Sequence, residues 1–458
     1  MNKTFLLIYI TAFFLTPSYG VAETPTASCP TSKDFATLAA PSMADRFWIA
    51  SRIYASVTAR FAHWSSLDPS YDFDEHYQDY LKSLSTISTR LDFDKKTAKL
   101  FASLHNTHTS FKDQLVHCYP GLPFRVGFIE GKWIVTRSWT KSVPVGVEIS
   151  AINHDVFSTW ADQQVAFISD SSLRDQRQDL TSMKYGVWLW PRKFTLTFHF
   201  PGKKDVSVDV DRNLSDSSEK NPPIKGRYVA VKGVSVSQIA PGIERITVSD
   251  FSHPENEKKM VQAVRDHQDV PALLFDVRGN GGGSAPNDLI QSLLEKPTKD
   301  EIGMSPQHIA VNDAYSDVAL SDVLSYSHTW FRFGGDVIKP KTLYHGKVFV
   351  LTDDGCASAC EDFLMIMKSS KRAVIMGEES AGGYGLRSDV FFPKQNMRFS
   401  VGVINVLWPD GTEAEGKGIM PDISIPLTQE ELLAGKDDVL EKAVKYINTV
   451  MKKEHHGQ

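Results

Sequence analysis

Ser358 is the residue of this sequence best suited to nucleophilic chemistry. It lies in the segment 355–361 (GCASACE), between the apolar run 348–352 (VFVLT) and the run 362–367 (DFLMIM). The first run predicts a buried strand and the second a helix. Free N–H groups at the start of a helix can stabilise negative charge beside a serine, and small neighbours let a substrate come close. Ser358 could instead simply cap the helix, which is the commonest role of a serine at such a junction.

A glycine-rich segment also follows a predicted buried strand. Residues 276–283 (DVRGNGGG) begin at the end of the run 273–277 (LLFDV). Glycines expose backbone N–H groups and allow another chain to approach closely. The spacing matches neither a dinucleotide fingerprint nor a phosphate loop with its lysine and hydroxyl. An anion-accepting turn of this kind fits an oxyanion hole, although glycine clusters are more often plain tight turns.

Together these motifs resemble those of the C-terminal-processing, or tail-specific, serine peptidases. The resemblance combines Asp276-x-Arg278-x-Asn280-x-Gly282-Gly283 with the segments 357–361 (ASACE), 377–383 (GEESAGG) and 416–422 (GKGIMPD). It covers roughly the whole chain from residue 40 onward. The resemblance implies that Ser358 is the nucleophile of a serine peptidase with an α/β core of the crotonase-like, ClpP-like type.

The sequence is more similar to one branch of this family than to the other. In the processing-peptidase branch, a lysine base lies in the glycine turn at the place where this chain has Gly383. In the branch that includes the tricorn-protease core and the retinoid-binding-protein-like members, the base is a histidine from an N-terminal Leu-x-x-x-His-Thr-like turn. The segment 104–109 (LHNTHT) matches that turn. The resemblance therefore implies a Ser-His-Glu triad.

The resemblance assigns the base to His108 and the acid to Glu415. His108 would take the hydroxyl proton of Ser358 and return it to the leaving amine, because an ordinary histidine pKa of about 6.5 suits both steps. Glu415 would orient the imidazole and stabilise its cationic form. His105 and Glu413 are rivals for these two roles, since a surface histidine and a solvated acidic turn are the ordinary interpretations of the two segments.

Backbone groups complete the implied site. The N–H of Ala359 and one from Gly282 or Gly283 would hold the oxyanion, and Thr107 would assist beside the base. The resemblance implies no cofactor. No metal site is predicted, because no His-x-x-x-His or paired Cys-x-x-Cys pattern is found.

Three predicted parts of the chain would position these residues. Residues 40–115 have helical periodicity and predict an N-terminal helical domain. Residues 120–212 contain short strands and one helix, which fits a β-rich module of PDZ type. After a polar linker at 213–223, strands and helices alternate over residues 224–452, which predicts an α/β core. The insert 297–347 interrupts this core as a long loop, and such a loop is usually a lid or a binding surface.

The N-terminus predicts export to the periplasm or the exterior. Residues 1–22 combine one positive charge, a short apolar core and a run of small residues, which is typical of a secretory signal peptide. A lipid anchor on Cys29 is a weaker interpretation, because the segment 26–29 (TASC) lacks a large apolar residue. No later run is long enough to span a bilayer.

Four cysteines in an oxidising compartment allow three disulfide pairings. In one of them Cys29 pairs with Cys118, and Cys356 with Cys360 on either side of Ser358. The alternative for the second pair is two buried thiols.

Composition excludes several partners. The net charge of -5 and the pI near 6.3 give no electrostatic footprint for nucleic acid or for an anionic membrane surface. We therefore predict an exported serine peptidase acting on proteins or peptides, with the PDZ-like module directing it to peptide C-termini. The alternative is a non-catalytic peptide- or lipid-binding protein that keeps the fold, in which the aromatic residues Trp188, Trp190, Trp330 and Phe331 line a ligand site.

Overall fold

The computed structural model describes residues 29–32, 34–200, 202–212, 225–226, 233–308 and 328–456. The predicted signal peptide at 1–22 and the predicted linker at 213–223 lie outside these residues. Within the described part, no helix is both long and apolar enough to cross a membrane. The chain has a mixed α/β fold in which helices accompany several sheets.

The α-helices of the described residues are α1 (Met43–Arg60), α2 (Phe73–Leu84), α3 (Arg90–Ala102), α4 (Phe157–Val165), α5 (Leu173–Asp179), α6 (Met183–Leu189), α7 (Pro254–Asp266), α8 (Asn287–Leu293), α9 (Ala359–Ser369), α10 (Gln429–Ala434) and α11 (Asp438–His456). The strands are β1 (Ser110–Asp113), β2 (Phe124–Ile129), β3 (Lys132–Ser138), β4 (Glu148–Ile152), β5 (Asp155–Val156), β6 (Lys193–His199), β7 (Val206–Asp211), β8 (Lys225–Gly226), β9 (Val234–Ala240), β10 (Ile243–Val248), β11 (Ala272–Asp276), β12 (Thr298–Lys299), β13 (Ile302–His308), β14 (His328–Gly334), β15 (Val337–Ile338), β16 (Lys347–Thr352), β17 (Ala373–Gly377), β18 (Arg387–Phe392), β19 (Met397–Gly402), β20 (Asn405–Leu407) and β21 (Ile423–Ser424).

The central sheet has the strand order β21-β17-β16-β11-β10-β9. Its strands pair in parallel, except that β9 is antiparallel to β10. β11 and β16 are buried almost throughout, as expected of apolar runs that are covered on both faces. Helices α7, α8 and α9 pack on one face and α11 packs on the other. The predicted strands before the glycine-rich turn and before Ser358 are therefore confirmed.

Arg278 attaches the C-terminal helix to this sheet. Its guanidinium group donates hydrogen bonds to both carboxylate oxygens of Asp276, at 2.9 and 2.8 Å, and to both oxygens of Asp437, at 2.7 and 2.8 Å. Asp276 ends β11, and Asp437 directly precedes α11. The Asp-x-Arg part of the glycine-rich motif therefore has a structural role.

A second sheet has the order β2-β3-β4-β6-β7, with β5 on β4 and β8 on β3. Helices α4, α5 and α6 accompany it, and α5 lies against β2. β2 is an edge strand of the main path. We refer to residues 124–211 as the β-rich module.

Helices α1, α2 and α3 share a hydrophobic core with a third sheet, in which β19 lies between β1 and β18. Phe101 of α3 packs on Phe399 of β19 with ring centroids 5.5 Å apart. The N-terminal helices are therefore packed against residues from late in the chain.

The expectation of a long loop at 297–347 is wrong for the residues of this segment that the structure describes. β13 and β14 form an antiparallel hairpin, and β13 also pairs with β20. Phe331 on the hairpin is 60% exposed. The partner strand β20 lies about a hundred residues after β13 in the chain, and no local sequence signal reveals that pairing.

Candidate active site

Two turns meet at the carboxyl ends of β11 and β16, which are adjacent strands. The N–H of Gly279 donates to Oδ1 of Asp353 at 2.7 Å, and the N–H of Ala357 donates to the carbonyl of Asn280 at 3.1 Å. The glycine-rich turn is therefore fixed against the turn that carries Ser358. This edge is where open parallel sheets usually bind their ligands.

Ser358 has a strained backbone at the start of α9. Its φ is 55° and its ψ is -129°, a conformation that a residue with a side chain rarely adopts. Such strain costs on the order of 1–3 kcal/mol and is typical of functional sites. The side chain does not cap the helix, so the simple capping interpretation is wrong. The N–H of Ser358 donates to the carbonyl of Gly383 at 2.9 Å.

Gly282 lies directly against the serine turn. A Cβ at this position would be 2.5 Å from the carbonyl oxygen of Ala357 and 2.9 Å from the nitrogen of Ala359, so only glycine fits. The N–H of Gly282 donates to Oδ1 of Asn280 at 2.9 Å. Of the two predicted donors on this turn, Gly282 therefore already has an acceptor. Among the described residues, no backbone acceptor pairs with the N–H of Gly283 or of Ala359.

Glu361 organises the loop that holds Ser358. Its buried carboxylate accepts hydrogen bonds from Oγ of Ser380 at 2.5 Å, from the N–H of Gly382 at 2.8 Å and from the N–H of Gly383 at 2.9 Å. Burial raises the pKa of Glu361 to about 7, against these hydrogen bonds, which lower it. Since the Gly383 carbonyl accepts from Ser358, this one carboxylate fixes the nucleophile through the loop.

His108 approaches the same loop from the N-terminal part of the chain. Its pKa is lowered to about 4, first by burial and then by the charges of Arg387 and Lys184. The backbone of Tyr384 acts in the opposite direction. The ring is therefore neutral near pH 7. Nδ1 of His108 is buried and has no hydrogen-bond partner among the described residues.

Thr107 and Ser358 lie on either side of Gly383. A Cβ on Gly383 would be 2.8 Å from Oγ1 of Thr107, while the carbonyl of Gly383 accepts from Ser358. His108 follows Thr107 directly. The rival His105 is exposed and has a φ of 41°.

Glu415 is buried and hydrogen-bonded. Its Oε1 accepts from Nδ2 of Asn106 at 2.7 Å and from Oγ of Ser171, and its Oε2 accepts from the N–H of Tyr384 at 3.1 Å. Burial raises the pKa of Glu415 to about 8, although the hydrogen bonds lower it. The imidazole recorded within ion-pair distance of this carboxylate is that of His63, whose Nδ1 lies 3.6 Å from Oε2. The rival Glu413 is partly exposed.

Thr107 belongs to the same network. Its N–H donates to Oγ of Ser171 at 2.9 Å, and its hydroxyl donates to Oδ2 of Asp175 at 3.1 Å. Ser171 in turn donates to Glu415. Burial raises the pKa of Asp175 well above its ordinary value. The structure thus connects Thr107 to Glu415 through one hydroxyl group.

Residues 243–425 match the model of peptidase family S41. Two curated relatives are named "Probable CtpA-like serine protease". The one from Staphylococcus epidermidis is 26% identical over 230 residues, 49% of this chain and 41% of the relative. The one from Staphylococcus aureus is 23% identical over 227 residues, 48% of this chain and 40% of the relative.

This chain thus spans about two fifths of the length of the curated relatives that it matches. The solved structure of mature CPAF complexed with lactacystin is similar over 90% of this chain and 99% of that chain, with a TM-score of 0.67 and 15% identity. That likeness shows a shared fold. The matches to family S41 and to the CtpA-like proteases support a serine-type peptidase.

The sequence motifs give no role to four residues of the candidate site. They are His63, Asn106, Ser171 and Glu361, and each is within contact of Glu415 or of the loop 382–384. Asn106 and Glu361 lie inside segments that the motifs had already singled out. His63 and Ser171 come from the end of α1 and the start of α5, where the sequence has no distinguishing pattern.

A cleft of about 570 Å³ leads from the β-rich module to the nucleophile turn. One wall is formed by residues 125–130 of β2 and the turn after it, and another by Gly279, Gly355 and Ala357. Asp175 and Asp179 of α5 lie on the same cleft. The edge strand β2, whose Val126 N–H donates to Oγ1 of Thr181 at 3.1 Å, therefore borders the cleft that reaches Ala357, next to Ser358.

Both disulfides of the predicted pairing are present, Cys29–Cys118 and Cys356–Cys360. Cys356 and Cys360 are fully buried. The second bridge spans the nucleophile turn, and the alternative of two buried thiols is wrong.

The four aromatic residues of the alternative ligand site occupy different parts of the fold. Trp188 and Trp190 are buried in the core of the β-rich module. Trp330 and Phe331 are 38% and 60% exposed on the hairpin of β13 and β14. Across the described residues, no group of three or more His, Cys, Asp or Glu side chains could hold a metal ion.

Proposed function

We propose that this chain is an exported serine peptidase that hydrolyses peptide bonds with Ser358, His108 and Glu415. The observation that carries the proposal is the loop 382–384. The carbonyl of Gly383 accepts a hydrogen bond from the N–H of Ser358. The Cα of Gly383 packs against Thr107, the residue before His108. The N–H of Tyr384 donates to Glu415. Three segments far apart in sequence therefore converge on one loop, which a triad requires.

In the proposed reaction, Oγ of Ser358 attacks the carbonyl carbon of the scissile peptide bond. Because Nδ1 of His108 is buried, Nε2 is the nitrogen that takes the hydroxyl proton. The N–H groups of Ala359 and Gly283 hold the negative charge that develops on the carbonyl oxygen. The loss of one such donor lowers the rate of catalysis by roughly 10²–10³-fold. The C–N bond then breaks as His108 gives its proton to the leaving amine. Water, activated by the same ring, hydrolyses the acyl-enzyme.

A histidine base fits this site better than a lysine base. Gly383 occupies the position of the lysine in the other branch, and even a Cβ there would be 2.8 Å from Oγ1 of Thr107. A long side chain has no room at this position. The neutral ring of His108 is ready to accept a proton near pH 7.

We further propose that the β-rich module acts as a PDZ-like peptide-binding domain. The edge strand β2 lines the cleft that leads to Ala357, next to the nucleophile. An extended peptide can pair with such an edge through main-chain hydrogen bonds, as a further strand. A peptide added to β2 would then extend along the cleft towards Ser358.

The experiment is hydrolysis of casein and of a fluorogenic peptide by the wild type and by Ser358→Ala, with Ser369→Ala at the other end of α9 as the matched control. We expect Ser358→Ala to lose activity by on the order of 10³-fold or more and Ser369→Ala to retain it. A fluorophosphonate should label Ser358 in the wild type, and His108→Gln should lose that labelling. Hydrolysis that persists in Ser358→Ala, or apolar-ligand binding without any turnover, contradicts the proposal.

A further inference from the structure

His63 is a buried histidine for which neither the motifs nor the proposed triad has a role. It follows α1, where the N–H of Ala62 donates to the carbonyl of Gly402 at 2.9 Å. The side chain of His63 is completely buried, and Nδ1 lies 3.6 Å from Oε2 of Glu415. His108, by contrast, is partly exposed. The side chain of His63 is thus more deeply buried than that of His108.

The ring nitrogens of His63 are unpaired in a polar environment. Neither forms a hydrogen bond with any described residue, and the same holds for Nδ1 of His108. Buried polar atoms without partners are costly, and each of them calls for an explanation. A buried imidazole with a carboxylate on one side has one further nitrogen available for a second group.

Gly402 provides the space that brings His63 to the turn carrying His108. A Cβ at Gly402 would be 3.1 Å from Nε2 of His63 and 2.5 Å from Oδ1 of Asn106. Oδ1 of Asn106 accepts from the hydroxyl of Thr109, which is the residue after His108. Nδ2 of Asn106 donates to Glu415. His63, Glu415 and the 106–109 turn therefore form one buried cluster.

We propose that His63 is a positioning residue that lies between Glu415 and His108 and transmits the support of the ionised form of Glu415 to the catalytic base. A neutral imidazole has one N–H and one lone pair, so it can contact the carboxylate with one nitrogen and the Nδ1–H of His108 with the other. That arrangement fixes the tautomer in which Nε2 of His108 has its lone pair free for the proton of Ser358. No proton moves onto His63.

Electrostatics are consistent with this role. Burial lowers the pKa of His63 to about 3 and the charge of His108 lowers it further, while the backbone of Ile404 acts in the opposite direction. His63 therefore stays neutral while His108 becomes cationic. The other charged groups that act on His108 are Arg387 and Lys184, and both disfavour its cation. His63, by accepting a hydrogen bond from the ring of His108, would stabilise the cation that these two charges disfavour.

The inference rests on the proposed function, and two His63 variants test it beside His105→Asn, an exposed control in the same region. His63→Phe keeps an aromatic ring without nitrogens, and His63→Gln keeps one donor and one acceptor. We expect His63→Phe to lower kcat for the fluorogenic peptide by on the order of 10²-fold with little change in KM, because the ring acts only when charge develops on His108. His63→Gln should recover a large part of the loss, and His105→Asn should equal the wild type.

A spectroscopic measurement separates positioning from folding and does not need turnover. The pKa of His108, followed by NMR of the labelled imidazole, should fall in His63→Phe, since the cation loses a hydrogen-bond acceptor. An unchanged His108 pKa in a folded His63→Phe overturns the inference, and so does wild-type kcat in that variant. Failure of the proposed function has a different signature, namely Ser358→Ala as active as the wild type.

Discussion

At the scale of single residues, Glu361 is the side chain on which the nucleophile turn most depends. In Glu361→Gln one acceptor oxygen becomes an NH₂ group that faces backbone N–H groups or the Ser380 hydroxyl. We expect the free energy of unfolding to fall by about 1–3 kcal/mol, as for other buried unsatisfied groups. We also expect kcat to fall roughly 10–100-fold, because the displaced Gly383 carbonyl no longer fixes Ser358. Urea denaturation and peptide hydrolysis measure the two effects, and the exposed Glu430→Gln should change neither.

Single residues differ in how far the sequence predicts them. The position of Ser358 between a strand and a helix could be predicted, because both flanking elements have clear local patterns. The contacts of Glu415 could not, since Asn106, Ser171 and His63 lie some 240 to 350 residues earlier in the chain. Their side chains are ordinary polar residues in sequence. Only the packing of α1 and α5 against the core gives them a partner, and no local rule predicts such packing.

At the scale of elements, the Cys356–Cys360 disulfide joins the serine turn to the first turn of α9. The double variant Cys356→Ala/Cys360→Ala should lose roughly 2 kcal/mol of stability, as expected of a short cross-linked loop. We expect kcat to fall while KM changes little, because the substrate cleft is left intact and only the strained Ser358 backbone loosens. Calorimetry and steady-state kinetics measure these effects.

The other disulfide provides the control for this prediction. Cys29→Ala/Cys118→Ala removes a bridge that ties the N-terminal segment to residue 118, far along the chain from the nucleophile. This variant should lose stability and keep kcat. Equal loss of kcat in the two double variants would mean that the Cys356–Cys360 bridge has only a general stabilising effect.

Elements with strong periodicity were predictable, and those that depend on a distant partner were not. The predicted strands at 348–352 and 273–277 agree with β16 and β11. The helical periodicity predicted for residues 40–115 does not reach its end, because α3 ends at Ala102 and residues 110–113 form β1. β1 exists because β19 pairs with it, with Phe111 opposite Phe399. The hairpin of β13 and β14 was missed for the same reason.

At the scale of the whole molecule, α1, α2 and α3 are packed on β19, and β20 soon after it pairs with β13. Residues from both ends of the chain therefore enclose the site, and they bury carboxyl groups and imidazoles together. Burial has opposite effects on these groups. It raises the pKa of Glu415 to about 8 and of Glu361 to about 7, and it lowers the pKa of His63 to about 3 and of His108 to about 4.

These opposite shifts predict how the stability of the whole chain depends on pH. Above about pH 7.5 the histidines are neutral in both folded and unfolded chains, and between about pH 6.5 and 7.5 they offset only part of the change, because half of them or fewer are protonated in the unfolded chain. The buried carboxyl groups still bind protons in the folded chain but not in the unfolded chain, so the free energy of unfolding should fall as the pH rises from about 6.5 to 8. Glu415 alone accounts for a slope of up to about 1.4 kcal/mol per pH unit. In Glu415→Gln this slope should become shallower, whereas the exposed Glu430→Gln should keep it. Urea unfolding at several pH values measures the slope, and a stability that rises over this interval would mean that Glu415 is ionised in the folded chain.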